Sequence, residues 1–225
     1  MNIGGMVKNS FVDYPGKIAC VFFTTGCNLR CWYCHNYHLF GSSPKISEQQ
    51  AFAFLQEHKG FLDGVVVSGG EPTLQPDLVD FVKKIKNMGF LVKLDTNGTN
   101  FEVVKTLVEN HLVDYVAMDI KAPTKKYEQV VGPTNKLDEI KKTRDYLLQN
   151  VVECEFRTTF SPDLSMQDLA ELCGEIANAK RFSIQRYNQV EGIKNSLPPR
   201  KKSDYILALE IAKKIIPNTI LKGVD

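Results

Sequence analysis

The chain is predicted to be an α/β protein built as an open (β/α)6 partial barrel around a curved parallel sheet. Three observations predict it: short apolar runs alternate with amphipathic segments, the links between them are short, and the unusual polar residues gather just after the apolar runs. Strand–helix alternation of this kind implies a parallel sheet with right-handed crossovers. Six such units are too few for a closed eight-stranded barrel. A flat doubly wound sheet is the alternative, because periodicity alone does not separate the two. No linker, low-complexity tract or internal repeat interrupts the 225 residues. A single domain over 1–225 is therefore expected, with segment 1–16 packing beside the core.

Each element has a local reason. Residues 17–25 (KIACVFFTT) form a nearly continuous apolar run, the pattern of a strand covered on both faces. Ser47, with Gln50 three residues on, makes a capping box for a helix that Gly60 stops. Residues 63–68 (DGVVVS) are a second buried strand, followed by Leu78, Phe81, Val82, Ile85 and Met88 at helical spacing and by Gly89 as the stop. Residues 90–96 read as a strand and 101–110 as a helix, with Val104, Leu107 and Val108 on one side. A strand over 114–120 is followed, after a longer loop, by a helix over 137–148. Residues 152–160 alternate, placing Cys154, Phe156 and Thr158 on one face and Glu153, Glu155 and Arg157 on the other. Ser165 with Asp168 opens a helix carrying Leu169, Leu172, Cys173 and Ile176. Residues 182–187 are the last predicted strand and 203–216 the last helix.

Composition narrows the class. An apolar fraction of 43% and a charged fraction of 24% are those of an ordinary soluble globular protein. A net charge of +2 makes no electrostatic case for nucleic acid or an anionic membrane as partner. No apolar run approaches the roughly 20 residues a spanning helix needs, and the first residues lack a signal-peptide pattern. A cytoplasmic location is expected. Of the six cysteines, Cys20, Cys154 and Cys173 lie at apolar core positions and are expected to be inert thiols.

The other three stand together. TGCNLRCWYCHN, residues 25–36, holds Cys27, Cys31 and Cys34 at C-x3-C-x2-C spacing, close enough to wrap one compact metal centre. Structural zinc, with His35 or His38 as fourth ligand, is the alternative. The loop follows the first predicted strand, and other polar groups follow the later ones. Gly69, Gly70, Glu71 and Pro72 come after the second, Asp95, Thr96, Asn97 and Gly98 after the third, and Asp119 and Lys121 after the fourth. Arg157 lies late on the fifth, and Gln185, Tyr187 and Asn188 end the sixth. In parallel α/β folds ligands bind at these strand ends, so one mouth is expected to collect all of them.

The cysteine loop, followed by GGEP and DTNG at strand ends, resembles the radical S-adenosylmethionine (SAM) superfamily from about Asp13 to Asn188. The resemblance implies that Cys27, Cys31 and Cys34 hold a [4Fe–4S] cluster whose fourth iron is chelated by the methionine end of SAM. A reduced cluster of this kind cleaves SAM to methionine and a 5′-deoxyadenosyl radical. It further implies cofactor-binding roles for Tyr33, Gly69, Gly70, Glu71, Asp95, Asn97, Asp119, Lys121, Arg157 and Tyr187. Tyr33 resembles the aromatic beside the adenine, and the two glycines would let the backbone approach the methionine ammonium. Glu71 is a candidate either to orient that end or to support its loop, and Arg157 to meet the cofactor carboxylate or the substrate backbone. Asp95, Thr96 and Asp119 resemble a monovalent-cation site of related activating enzymes.

SFVDYPGK, residues 10–17, resembles the segment preceding the cysteine loop in glycyl-radical-enzyme activases, and Cys34-His35-Asn36 and Asp119-Ile120-Lys121 resemble that group too. The DYPGK form looks most like the anaerobic ribonucleoside-triphosphate reductase activating proteins. The implied partners are a large glycyl radical enzyme and a flavodoxin- or ferredoxin-type reductant, with no nucleic acid and no membrane. A pyruvate formate-lyase type activase, or a radical SAM enzyme modifying a peptide or small molecule, is the alternative. The chain departs from the pyruvate formate-lyase activases at the sixth strand's end, where Gln185-Arg186-Tyr187-Asn188 stands in place of a histidine.

Overall fold

The computed structural model describes residues 1–189 and 197–224. Its centre is one eight-stranded sheet in strictly sequential order: β1 (Ile3–Ser10), β2 (Ala19–Thr24), β3 (Gly64–Gly69), β4 (Leu91–Thr96), β5 (Tyr115–Asp119), β6 (Glu153–Phe160), β7 (Phe182–Arg186) and β8 (Thr219–Lys222). β1 runs antiparallel to β2, and every later neighbour pair is parallel.

Sequential order decides between the two predicted architectures. Right-handed crossovers that always step in one direction leave every helix on the same face, whereas a doubly wound sheet reverses order and covers both. The burial follows. Cys20, Phe22, Val65, Val67, Val92, Leu94, Val116 and Phe156 share one core with helix residues such as Leu55, Phe81, Leu107 and Leu172. The opposite face carries a small apolar cluster of Tyr14, Ala19, Val21, Val66, Tyr115 and Ala117, with Phe23 and Leu91 against it, to which no helix among the described residues contributes. The sheet is an open, curved partial barrel, with helices outside and a concave face inside.

The helices are α1 (Glu48–Glu57), α2 (Leu78–Asn87), α3 (Phe101–Glu109), α4 (Tyr127–Val131), α5 (Leu137–Leu147), α6 (Met166–Glu175) and α7 (Lys202–Lys213). The capping boxes predicted from Ser47/Gln50 and Ser165/Asp168 both form. The predicted apolar stripes of α2 and α3 are buried, and Gly89 ends α2 in the left-handed region at φ +93°. Cys20, Cys154 and Cys173 are buried free thiols, as expected.

Three elements were not expected. Segment 1–16 does more than pack beside the core, since its first half is β1. Two register shifts and the Gly4-Gly5 pair obscure any alternation there. β8 is only four residues long. α4 is a five-residue turn of helix inside the longer loop. No helix among the described residues is long and apolar enough to cross a membrane.

Candidate functional site

The cysteine loop leaves the end of β2 and is tied down on both sides. The Gly26 N–H donates to the Leu39 carbonyl at 2.8 Å, and the Arg30 N–H to the Val131 carbonyl of α4 at 2.8 Å. The Arg30 guanidinium turns back to the Cys27 carbonyl at 2.5 Å and lies over the Phe40 ring at 4.7 Å. Leu29 anchors the loop in the core. A short irregular loop can hold its shape only if its backbone groups find such partners.

The loop after β3 lies across it. Gly70 N–H donates to the Thr24 carbonyl at 2.9 Å and Glu71 N–H to the Gly26 carbonyl at 2.8 Å. A Cβ at position 70 would stand 1.9 Å from Gly26 O, and one at 69 would stand 2.3 Å from Thr24 N, at a backbone φ of +119°. The two glycines are therefore required by backbone-on-backbone packing, whatever else approaches them. Asn36 completes the join, its side-chain amide donating to the Gly69 carbonyl at 3.0 Å.

Glu71 is fully buried, and its carboxylate is the hub of these loops. Oε1 accepts from the Thr73 N–H at 3.1 Å, the Thr73 hydroxyl at 2.6 Å and the Thr96 hydroxyl at 2.7 Å, while Oε2 accepts from the Asn97 N–H at 2.7 Å. Burial pushes the carboxyl above its usual range, and those donors pull it back. Of its two candidate roles, loop support accounts for all four bonds. Asn97, fixed in this way, places its side-chain amide 3.9 Å from Cys27 Sγ and 3.1 Å from the Asn28 side-chain oxygen.

A cavity of about 290 Å³ opens at this mouth, lined by every residue given a cluster, cofactor or cation role except Tyr187; Pro72, Gly98 and Asn188, also expected at the mouth, are outside its lining. The three thiols share its wall, although among the described residues no three His, Cys, Asp or Glu side chains converge to hold a single metal ion. Burial raises all three thiols, Cys31 up to about 11, so binding iron there would release protons. The buried Tyr33 hydroxyl has no hydrogen-bond partner among the described residues. An orphaned donor on a cavity wall is a group that a ligand can satisfy. Tyr187 sits behind that wall: its ring packs on Trp32 at 5.5 Å and Tyr33 at 6.5 Å, and its hydroxyl donates to the Leu197 carbonyl at 3.2 Å. Expected beside the cofactor, it lies one residue past β7 and outside the lining of this cavity, which Gln185 of β7 joins.

The far wall is a line of charges across β4, β5 and β6. Arg157 bridges the two aspartates, Nη1 to Asp95 Oδ2 at 3.0 Å and Nε to Asp119 Oδ1 at 2.8 Å. Lys121 Nζ holds Asp119 Oδ2 at 2.9 Å, and Lys93 Nζ holds Asp95 Oδ1. Burial alone would raise the Asp119 carboxyl, but Arg157 and Lys121 hold it well below the usual range. The sequence reading missed Lys93 and Ser68, whose hydroxyl donates to Asp95 Oδ2 at 3.1 Å. Lys93 is legible only as the residue two before Asp95 on one strand, and so on the same face.

Tyr14 of the DYPGK segment packs in the apolar cluster of the concave face, its ring 6.0 Å from Tyr115. The neighbouring Val12 and Asp13 line a second hollow of about 510 Å³ that shares Asp13, Arg157 and Gln185 with the first.

Comparison with known proteins places this arrangement. The Radical SAM superfamily profile matches residues 21–176. A Methanocaldococcus jannaschii protein bearing the name glycyl-radical enzyme activating enzyme is 34% identical over 99% of this chain and 96% of its own length. The pyruvate formate-lyase-activating enzyme of Streptococcus mutans is 29% identical over 85% of this chain and 84% of its own. Among solved structures, Streptococcus suis SuiB bound to S-adenosylmethionine superposes with a TM-score of 0.74 at 18% identity, over 90% of this chain and 49% of that one. The chain belongs to the radical SAM superfamily and, within it, to the glycyl-radical enzyme activating enzymes.

Proposed function

We propose that this protein installs a glycyl radical in a separate, larger enzyme, and that the partner is an anaerobic ribonucleoside-triphosphate reductase. The observation that carries the reading is the convergence, in one cavity, of three free thiols with the Asp95–Arg157–Asp119–Lys121 charge line.

Cys27, Cys31 and Cys34 would hold a [4Fe–4S] cluster. When bound, the reduced cluster and SAM supply a 5′-deoxyadenosyl radical able to take a hydrogen atom from a glycine Cα, leaving methionine and 5′-deoxyadenosine. The chain's residues do the rest. Lys121 and Arg157 present cationic groups to an anionic ligand end, Lys121 as a point charge and Arg157 as a fork. The Tyr33 hydroxyl offers a further donor. Glu71, through Asn97 and Thr96, holds the loops at a fixed separation. The second hollow beside Val12 and Asp13, which shares Asp13, Arg157 and Gln185 with the cavity, is the side from which a polypeptide segment would approach.

The partner assignment rests on residues 12–16, VDYPG. The Streptococcus mutans relative favours a second reading, a pyruvate formate-lyase type partner. A flavodoxin- or ferredoxin-type protein is the proposed reductant, and the cytoplasm the proposed compartment. Incubating the reconstituted protein, SAM and reductant with each candidate partner and recording electron paramagnetic resonance separates the readings. A glycyl doublet on the reductase is expected. A doublet on the lyase alone reassigns the partner, and none on either refutes the activase reading.

A further inference from the structure

The monovalent cation expected at Asp95, Thr96 and Asp119 does not fit the site. Each of the four carboxylate oxygens of the aspartates already meets a side-chain cation. Lys93 takes Asp95 Oδ1, Arg157 takes Asp95 Oδ2 and Asp119 Oδ1, and Lys121 takes Asp119 Oδ2. The third expected ligand faces elsewhere: the Thr96 hydroxyl donates to Glu71 and accepts from the Gly98 N–H at 3.1 Å. Alternation along β4 explains why, since Asp95 points to the concave face and Thr96 to the helix side.

We infer that Lys93 is a resident counter-cation that replaces the monovalent ion in this protein, so that SAM binding at this site requires neither potassium nor sodium. The lysine is built in. Its side chain is 1% exposed, its ammonium lies 5.9 Å from the Tyr115 ring centroid, and it pairs with a carboxylate that is itself shielded. An ammonium buried this deeply persists only when paired, because desolvation otherwise neutralises it. Burial pulls Lys93 below its usual range while Asp95 draws it back. Burial would raise Asp95, yet Arg157 and Lys93 hold it low. Three cations against two carboxylates already leave the line with a surplus positive charge. A further cation there would meet repulsion in a poorly screened interior, whereas the surplus suits an anionic ligand end.

The inference rests on the SAM-binding reading, and the test keeps the two apart. SAM affinity of the cluster-loaded protein is measured by equilibrium dialysis in potassium, sodium or tetramethylammonium chloride at equal ionic strength, beside the melting temperature of the cofactor-free protein in the same salts. Both should be unchanged among the salts for the wild type, within about twofold for affinity. Lys93→Met should lose affinity and melting temperature in tetramethylammonium and recover both in potassium or sodium, while Lys93→Arg should stay salt-insensitive. Wild-type SAM affinity that rises about tenfold with potassium overturns the inference. A Lys93→Met melting temperature indifferent to the ion overturns it as well. A wild type that binds SAM in none of the salts defeats the functional reading instead, and the melting arm still decides the lysine's role.

Discussion

The backbone N–H of Asn97 donates to Glu71 Oε2 at 2.7 Å, so one buried carboxylate joins the loop after β3 to the loop after β4. With the Thr73 and Thr96 hydroxyls on the other oxygen, Glu71 fixes two walls of the cavity at once. Replacing it by alanine strands several buried donors, each worth roughly 1–3 kcal/mol. Glu71→Ala should therefore cost the cofactor-free protein about 3 kcal/mol or more in urea unfolding. A loss below about 1 kcal/mol together with weakened SAM binding would return Glu71 to a role in direct cofactor contact.

Gly70 and Gly5 make a contrasting pair. A Cβ on Gly70 would meet the Gly26 carbonyl oxygen at 1.9 Å, whereas one on Gly5 has nothing within 4 Å. Gly70→Ala should destabilise by about 3 kcal/mol or fail to fold, while Gly5→Ala should stay within about 1 kcal/mol of wild type. Thermal melts of the two variants side by side check this. Equal effects would mean that the β2–β3 join is not the constraint on Gly70.

The charge line predicts an acid limit. Asp119 has a folded-state value below its unfolded one of about 3.9, so its stabilisation is full above that value. The contribution is lost as the pH falls through the folded-state value. The stability gap between wild type and Asp119→Asn should thus stay constant from about pH 8 to pH 5 and narrow only below about pH 4. Urea titrations across that range measure it. A gap that closes between pH 7 and pH 5 would show that Arg157 and Lys121 do not hold the carboxyl low.

Phe11 and Val12, 70% and 81% exposed, sit beside the second hollow at the tip of a loop that Tyr14 pins from below. Under the proposed function, these two exposed apolar side chains lie where a partner polypeptide would dock. The double variant Phe11→Ser/Val12→Ser should leave melting temperature and partner-free SAM cleavage unchanged. It should raise the partner concentration for half-maximal radical yield by about tenfold. An unchanged concentration dependence would remove this loop from the docking surface.

Local patterns were legible where a few neighbouring residues decide the outcome. Ser47 with Gln50 and Ser165 with Asp168 cap α1 and α6 because a capping box spans only four residues. The alternation in β6 correctly split Phe156 from Arg157, but left unread what the polar face meets. Glu155 is buried at 4% exposed, paired with Lys222 of β8 at 2.8 Å, a strand too short to be seen in advance. Charge on a strand face ordinarily signals solvent; here the sheet curls and turns that face into the lining of the cavity.

The sequence by itself determined the strand–helix order, the cysteine loop and the set of polar residues at the strand ends, since each is written in spacing along the chain. Only the tertiary structure decided their partners. Glu71 faces loop donors, Tyr187 supports the cavity wall from behind, and Arg157 and Lys93 hold the carboxylates that the family resemblance had offered to a monovalent cation. The physical reason is that partnership between charges depends on which strands lie side by side and how the sheet curves. Lys93 and Arg157 are 64 residues apart in the chain (157 − 93) and meet across a single aspartate.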